Sequence, residues 1–480
     1  MLLWGCDNHI NEQHQYILIM DYRFSSYSIV VPLESEPDNV FMMHGYTGAI
    51  DVLSKEIADY LQNHKHFSKE EIPCSETTVE TLEKRGYITK WSKEEEVEYA
   101  KRIVRVLQKR NKYMWQKSFT ILVTYNCNFR CPYCFEKDNI DTISLQNNRA
   151  ITKEYVDLIF ETIKVLEPNS QLHNHCIQLF GGEPLLKDNK EIVTYIINKG
   201  REYGFTFIAT SNGYDIDTYE DLLSPDKLKG IQITIDGPKH IHDTRRIHAV
   251  YGKSFDKIVN NIKLALYKNV AIQVRINVDS QNIEALHELN DYFTDNGFYS
   301  MKNFSVYAEY ISGNCNFNPI EYNYSLKGRN MSRKHFLDAM KLTNNRIKYE
   351  TKLFSKISFA LTNKKGLQLS PTHCLAHGNS YVFDPYGRIF SCLEMVGKQN
   401  NAIGTYSPKL NWTKKKDEWF NKNITDIQKC IKCKYAFLCG GGCYAKAMSR
   451  NQESICDDYG LRLKFICQKI YSELVSNSIN

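Results

Sequence analysis

Phe119-Thr-Ile-Leu-Val-Thr124 and, two residues on, Cys127-Asn-Phe-Arg-Cys131-Pro-Tyr-Cys134 decide how this chain is read. The first six residues are apolar or β-branched, as a buried strand requires. The next eight put three thiols on the loop leaving that strand, spaced C-x3-C-x2-C. Three soft ligands cannot complete a four-iron cluster, which needs four, and are too few for a closed structural zinc site. One metal position is therefore expected to stay open. A zinc loop finished by a distant histidine is the alternative, and a lone C-x2-C would favour it. The triple spacing at a strand end turns the reading to iron and sulfur.

The same alternation of strand and helix continues to about Ile311, with strands expected at 119–124, 177–180, 205–210, 231–235, 272–278 and 304–310. Six such units predict an α/β fold with a parallel sheet, either an open layer or a partial barrel, and in both the reactive groups gather where strands end. Upstream, short strand-like stretches at Tyr16 to Met20 and Tyr27 to Leu33 give way to a helical face of Leu53, Ile57, Tyr60 and Leu61. Thr77-x-x-Glu80 reads as a capping box for a helix that turns Val79 and Leu82 inward and stops near Gly86. Tyr87 to Thr89 reads as a returning strand. Ser92-x-x-Glu95 opens a longer helix with Val97, Ala100, Val104 and Leu107 on one side. The expected division is a winged-helix-like module with its linker helix over 1–112, the α/β region over 113–311, a connection over 312–365, and a cysteine-rich region over 366–480. This last region should carry a hairpin turning at Asp384-Pro-Tyr-Gly387 and a final helix from Leu461 to Leu474.

The 480 residues are 42% apolar and 24% charged, an ordinary globular composition that excludes a disordered or fibrous chain. Sixty-one Lys+Arg against fifty-five Asp+Glu leave +6, too little for a protein that holds nucleic acid along its length. Met1-Leu-Leu-Trp-Gly-Cys-Asp-Asn-His9 turns polar too soon for a signal peptide, and no stretch approaches the ~18 apolar residues of a membrane span. The expectation is a cytoplasmic chain with no membrane and no nucleic acid among its partners. Fifteen cysteines in that reducing compartment point to metal or redox chemistry rather than disulfides.

The cysteine loop resembles the cluster motif of radical S-adenosylmethionine (radical SAM) enzymes. Gly181-Gly182-Glu183-Pro184, one strand later, resembles that family's motif for the amino group of SAM. A glycine pair lets backbone approach a ligand, and Glu183 can accept from an ammonium group. The resemblance further implies that Tyr133 contacts adenine, and that Ser211-Asn212-Gly213 and Arg246 lie in the ribose- and carboxylate-contacting regions. It implies a partial (β/α)6 TIM-like barrel, SAM and a [4Fe-4S] cluster as cofactors, and reductive cleavage of SAM to methionine and a 5'-deoxyadenosyl radical.

A second pattern, Cys374-x12-Gly387-x4-Cys392 followed by Cys430-x2-Cys433-x5-Cys439-x3-Cys443 and Cys456, resembles the SPASM extension of these enzymes. That implies two auxiliary [4Fe-4S] clusters, three in all. One would take Cys430, Cys433, Cys439 and Cys456, and the other Cys374, Cys392 and Cys443 with its fourth ligand unassigned. A substrate thiolate, Cys315 or another group could fill that place, and Cys467 is the alternative to Cys456. Cys6, Cys74 and Cys176 have no place in this scheme and read as small buried hydrophobes.

The amino-terminal module resembles the recognition element of maturases for ribosomally made peptides, where a leader adds a strand to an exposed edge. Together these resemblances imply oxidative modification of a precursor peptide, most directly a thioether cross-link, with an external one-electron reductant such as flavodoxin or ferredoxin. Carbon-carbon or cyclophane formation, an anaerobic sulfatase maturase and an iron-sulfur DNA-binding redox sensor are the other readings. The sulfatase maturases place an acidic residue directly after the hairpin cysteine, where this chain has Leu393, with Glu394 one later. No residue stands out as a catalytic acid or base.

Overall fold

A computed structural model describes residues 22–136, 150–311, 331–341, 343, 346–363 and 365–479. The expected strand at 16–20, Cys6 and Cys315 lie outside these residues. The amino-terminal part begins with β1 (Arg23–Phe24), then β2 (Ser28–Pro32), β3 (Asn39–His44) and β4 (Ile50–Ser54), which form a three-stranded antiparallel sheet in that order. There follow α1 (Lys55–Asn63), α2 (Glu76–Lys84), β5 (Ile88–Thr89), antiparallel to β1, and α3 (Lys93–Met114).

The capping box at Ser92 and Glu95 forms as expected, but α2 is capped by Ser75, whose hydroxyl accepts from Thr78 N, and not by Thr77. Leu53 belongs to β4 rather than to the helical face of Ile57 and Leu61, because Ser54 ends the strand and caps α1. β3 is a strand with two buried faces. Val40 and Met42 pack on α1 and α2, while Phe41 and Met43 join the main core. Such a strand shows no alternation, which hides it from a periodicity reading.

The α/β region runs β6 (Ser118–Thr124), α4 (Lys153–Leu166), β7 (Cys176–Gly181), α5 (Lys190–Glu202), β8 (Thr206–Ser211), β9 (Leu228–Thr234), α6 (Lys239–Arg245), α7 (Phe255–Tyr267), β10 (Ala271–Val278), α8 (Leu286–Asp295) and β11 (Phe304–Tyr310). All neighbouring strands from β6 to β11 are parallel, in sequential order. Right-handed crossovers between successive neighbours put every connecting helix on one face, whereas an open doubly wound layer needs its order to reverse. The order therefore selects the partial barrel. Ile121, Leu179, Phe207, Ile233, Val274 and Val306 are buried along its strands.

The remaining described elements lengthen this sheet at both edges. After α9 (Arg333–Lys341), β12 (Ile347–Lys348) adds parallel to β11, and α10 (Thr351–Thr362) follows. β13 (Ser380–Phe383) lies parallel to β6, and β14 (Arg388–Phe390), β15 (Gly404–Thr405) and β16 (Asn411–Trp412) continue antiparallel, for eleven strands in all. The β13–β14 hairpin turns where expected. Asp384 Oδ1 accepts from Tyr386 N and Arg388 N, each at 3.0 Å, and Gly387 takes φ +80°. Short helices α11 (Lys414–Phe420), α12 (Gln428–Ile431), α13 (Ala436–Cys439) and α14 (Tyr444–Ser449) lead to α15 (Tyr459–Ile479). α15 covers the outer edge of β2, where Gln468 donates to Pro32 O at 2.5 Å and accepts from Glu34 N at 2.9 Å. No described helix is long and apolar enough to cross a membrane.

Candidate functional site

The carboxyl ends of β6 to β10 meet at one rim of the barrel. The cysteine loop leaves β6 there and is tied down by Arg130 N to Ile247 O and Ala249 N to Asn128 O, both 2.8 Å. Burial pushes the thiols of Cys127, Cys131 and Cys134 up, Cys134 to about 12. Charge on Cys131 and Cys134 adds to the rise at Cys127, so the three sulfurs share one neighbourhood. Arg246 beside Cys131 acts the other way.

Gly181 and Gly182 bring the end of β7 against this loop, backbone to backbone. Gly182 N donates to Thr124 O at 3.0 Å and Glu183 N to Asn126 O at 2.7 Å. A Cβ on Gly181, at φ +145°, would stand 2.2 Å from Thr124 O, and one on Gly182 would stand 2.4 Å from Tyr125 O. The close approach that needs glycine is thus to the cysteine loop itself.

Glu183 is buried, and burial raises its carboxyl to about 7 against the donors that hold it. Those donors are Ser211 Oγ at 2.8 Å, Leu185 N at 2.8 Å and Asn212 N at 2.6 Å. Asn212 also donates through Nδ2 to Asn128 Oδ1 at 2.6 Å and reaches Cys127 Sγ at 4.0 Å. Pro184 leads into the buried Leu185. The Gly-Gly-Glu-Pro motif, Ser211 and Asn212 therefore stand together beside Cys127.

On the far side of the loop, Tyr133 is buried and its hydroxyl donates to Asp236 Oδ2. Arg246 stacks over the Phe129 ring at 5.5 Å and approaches the Tyr133 hydroxyl at 3.5 Å. Its Nε is buried with no hydrogen-bond partner. Sequence reasoning missed the residues behind this pair. Arg245 Nη1 donates to both carboxylate oxygens of Asp279, at 2.9 and 3.0 Å, and its Nε faces Asp236 at 3.5 Å, while Asp236 Oδ1 accepts from Asn277 N at 3.0 Å. A signal was present in the sequence, since Asp236 and Asp279 directly follow the strands expected at 231–235 and 272–278. Glu136, two residues past Cys134, was missed as well. It is buried, pushed up to about 8 by burial and then by Glu394, and its Oε1 has no partner.

The later cysteines fall into two further groups. Charge on Cys374 and Cys443 raises the Cys392 thiol beyond the effect of burial, and Cys374 feels Cys443. Cys430 feels Cys433 and Cys456, and Cys439, at about 11, feels Cys430 and Cys433. Cys467 is buried on α15 and raised to about 12 by burial alone. Cys74 and Cys176, expected to be buried, are only partly so, because Cys176 opens β7 and Cys74 precedes the cap of α2.

No three His, Cys, Asp or Glu side chains among the described residues converge on a single ion. The thiols of each group raise one another's pKa without converging on one ion, and a cubane, whose cysteines each bind a different iron, does not ask them to converge. The buried, unpartnered Arg246 Nε beside Cys131 offers a donor for a polar ligand at the rim. The donor sets thus fit iron-sulfur clusters and, at the barrel, SAM.

Residues 121–292 match the Radical SAM superfamily. This stretch is a radical SAM domain, the class of enzyme that uses SAM and an iron-sulfur cluster. A cysteine-type anaerobic sulfatase-maturating enzyme of Clostridium perfringens is 24% identical over 364 residues, 71% of this chain and 90% of that protein. The radical SAM cyclopropyl synthase TigE of Paramaledivibacter caminithermalis is 23% identical over 394 residues, 74% of each. The solved structure of native anSMEcpe with bound AdoMet superposes with a TM-score of 0.56 at 20% identity, covering 76% of this chain and all of that one. That last likeness is one of fold.

Proposed function

We propose that this chain oxidatively modifies a ribosomally made precursor peptide, most directly by closing a thioether cross-link. The observation that carries the reading is the group of Cys374, Cys392 and Cys443 beside the radical SAM barrel, to which no fourth cysteine among the described residues adds. A cluster with a vacant ligand position takes a substrate thiolate and lowers its pKa as metal coordination does. The other auxiliary cluster would be held by Cys430, Cys433, Cys439 and Cys456, and the first cluster by Cys127, Cys131 and Cys134.

With cluster and SAM bound, the cofactors supply one-electron cleavage and a primary carbon radical. The chain's share is placement. Glu183, held by Ser211, Asn212 and Leu185, would take the ammonium of SAM, and Arg246 its carboxylate. Tyr133, pinned by Asp236, would flank the adenine. The barrel rim would exclude water while the target C–H is presented. The peptide's leader would add a strand to β4, whose outer edge has no described strand beside it and where Val52 is 47% exposed. The other sheet edge, β2, is covered by α15.

Anaerobic reconstitution with iron, sulfide, SAM, reductant and the precursor peptide encoded beside the gene tests this. The expected product is two hydrogens lighter and resists thiol alkylation. A product of unchanged mass despite SAM cleavage overturns a net oxidation. A second reading, sulfatase maturation, is favoured by the similarity to the Clostridium perfringens enzyme. Glu394 rather than Leu393 would then be the acidic residue near Cys392, and a sulfatase-derived peptide in place of the precursor separates the two.

A further inference from the structure

The amino-terminal sheet is built into the cysteine-rich region. Tyr27, at the turn into β2, is fully buried, and its hydroxyl donates to the backbone carbonyl of Ile431, between Cys430 and Cys433. Gly45, at the exit of β3, lies against the same loop, so that a Cβ there would stand 2.8 Å from Lys434 O. The Tyr27 ring packs edge-on to Phe437 with centroids 6.3 Å apart. Behind it, Ala100, Val104 and Leu107 of α3 share one buried cluster with Ile424, Ile427 and Cys430. Ser28 and His44 pair at this end of the sheet, so Tyr27 and Gly45 leave it side by side.

We propose that Tyr27 is a positioning residue for the second auxiliary cluster: with Gly45 it sets the geometry of the Cys430–Cys433 loop, so that the recognition module helps determine how that cluster is held. The proposal rests on the auxiliary-cluster reading above. A hydrogen bond to Ile431 O fixes the peptide plane between two ligands. It therefore fixes how the ligand sulfurs and the N–H groups around them are aimed, and such hydrogen bonds tune a cluster's potential.

The test uses the full chain carrying Cys127→Ala, Cys131→Ala and Cys134→Ala, in which only auxiliary iron remains. Tyr27→Phe, which keeps the ring and removes the hydroxyl, and Gly45→Ala are each introduced into it. Iron and sulfide content, the EPR spectrum after dithionite and a reductive titration are measured. The expected result is an altered EPR signal and a shifted potential for one auxiliary cluster in both variants, or loss of about four irons where the loop no longer holds it. Unchanged iron, spectra and potential in both variants overturn the proposal. Absence of auxiliary iron from the parent triple variant overturns the auxiliary-cluster reading itself, and the proposal with it, so the two failures are distinguishable.

Discussion

Glu183 draws three loops together, because its two oxygens take donors from its own turn and from the end of β8 while its backbone N donates to Asn126 O in the cysteine loop. The neighbouring glycines matter through distance, and Gly181 also through its φ of +145°. Gly182→Ala would drive a Cβ into Tyr125 O and Asn126 O and move the cysteine loop. A displacement of about 1 Å at a reacting site can cost a hundredfold in rate. We expect Gly182→Ala to keep its circular dichroism and to lose about a hundredfold in 5'-deoxyadenosine formation. Cys131→Ala should lose about four irons per chain and all SAM cleavage, read by metal analysis and chromatography. Asp279→Ala removes the carboxylate whose two oxygens share Nη1 of buried Arg245. Such a loss costs about 3 kcal/mol or more, which should appear as a lower thermal midpoint. The cysteines were legible because their spacing is local. The Tyr133–Asp236 bond was not, since its partners lie 103 residues apart.

At the scale of the element, the strands of the barrel were legible and β3 was not. The barrel strands sit between turn-forming residues at regular intervals, while β3 is buried on both faces and reads as an apolar run of either kind. β3 also ends in His44, buried among Ser25, Thr47, Tyr46 and Tyr87, with Glu96 of α3 nearby. Burial lowers its pKa from 6.5 to about 4, the Glu96 charge opposing. Between these values the unfolded chain takes up a proton that the folded module refuses. Stability is therefore complete above pH 6.5 and falls toward pH 4, by roughly 3 kcal/mol at most. A series of thermal melts should show this slope, and His44→Gln should flatten it. For β4, Val52→Pro cannot accept a paired strand. It should weaken binding of a labelled leader about tenfold, or roughly 1.4 kcal/mol. Equal affinity would remove strand addition at this edge.

Over the whole molecule, the barrel and the cysteine-rich region share one sheet yet differ in what holds them. The barrel has a continuous apolar core, whereas residues 424–456 contain only short helices among the described elements. Thiol groups drawn together there would make metal binding part of folding. Removing iron with a chelator should leave the barrel's circular dichroism while exposing the stretch from Gln428 to Cys456 to limited proteolysis. Cleavage spread evenly along the chain would argue against that division.

Three thiols after a strand, a glycine pair one strand later and the C-x2-C-x5-C-x3-C run are local patterns, and local spacing is enough to name the chemistry they suit. Sequence by itself therefore determined the barrel's strand sequence and the candidate ligands. Only the tertiary structure decided the sheet order that closes the choice between layer and barrel. It alone set the pairing of Tyr133 with Asp236, the aim of the glycines at the cysteine loop and the seating of Tyr27 on Ile431. Each of these depends on contacts between residues far apart in the chain, and those contacts exist only once the core has chosen which faces to bury.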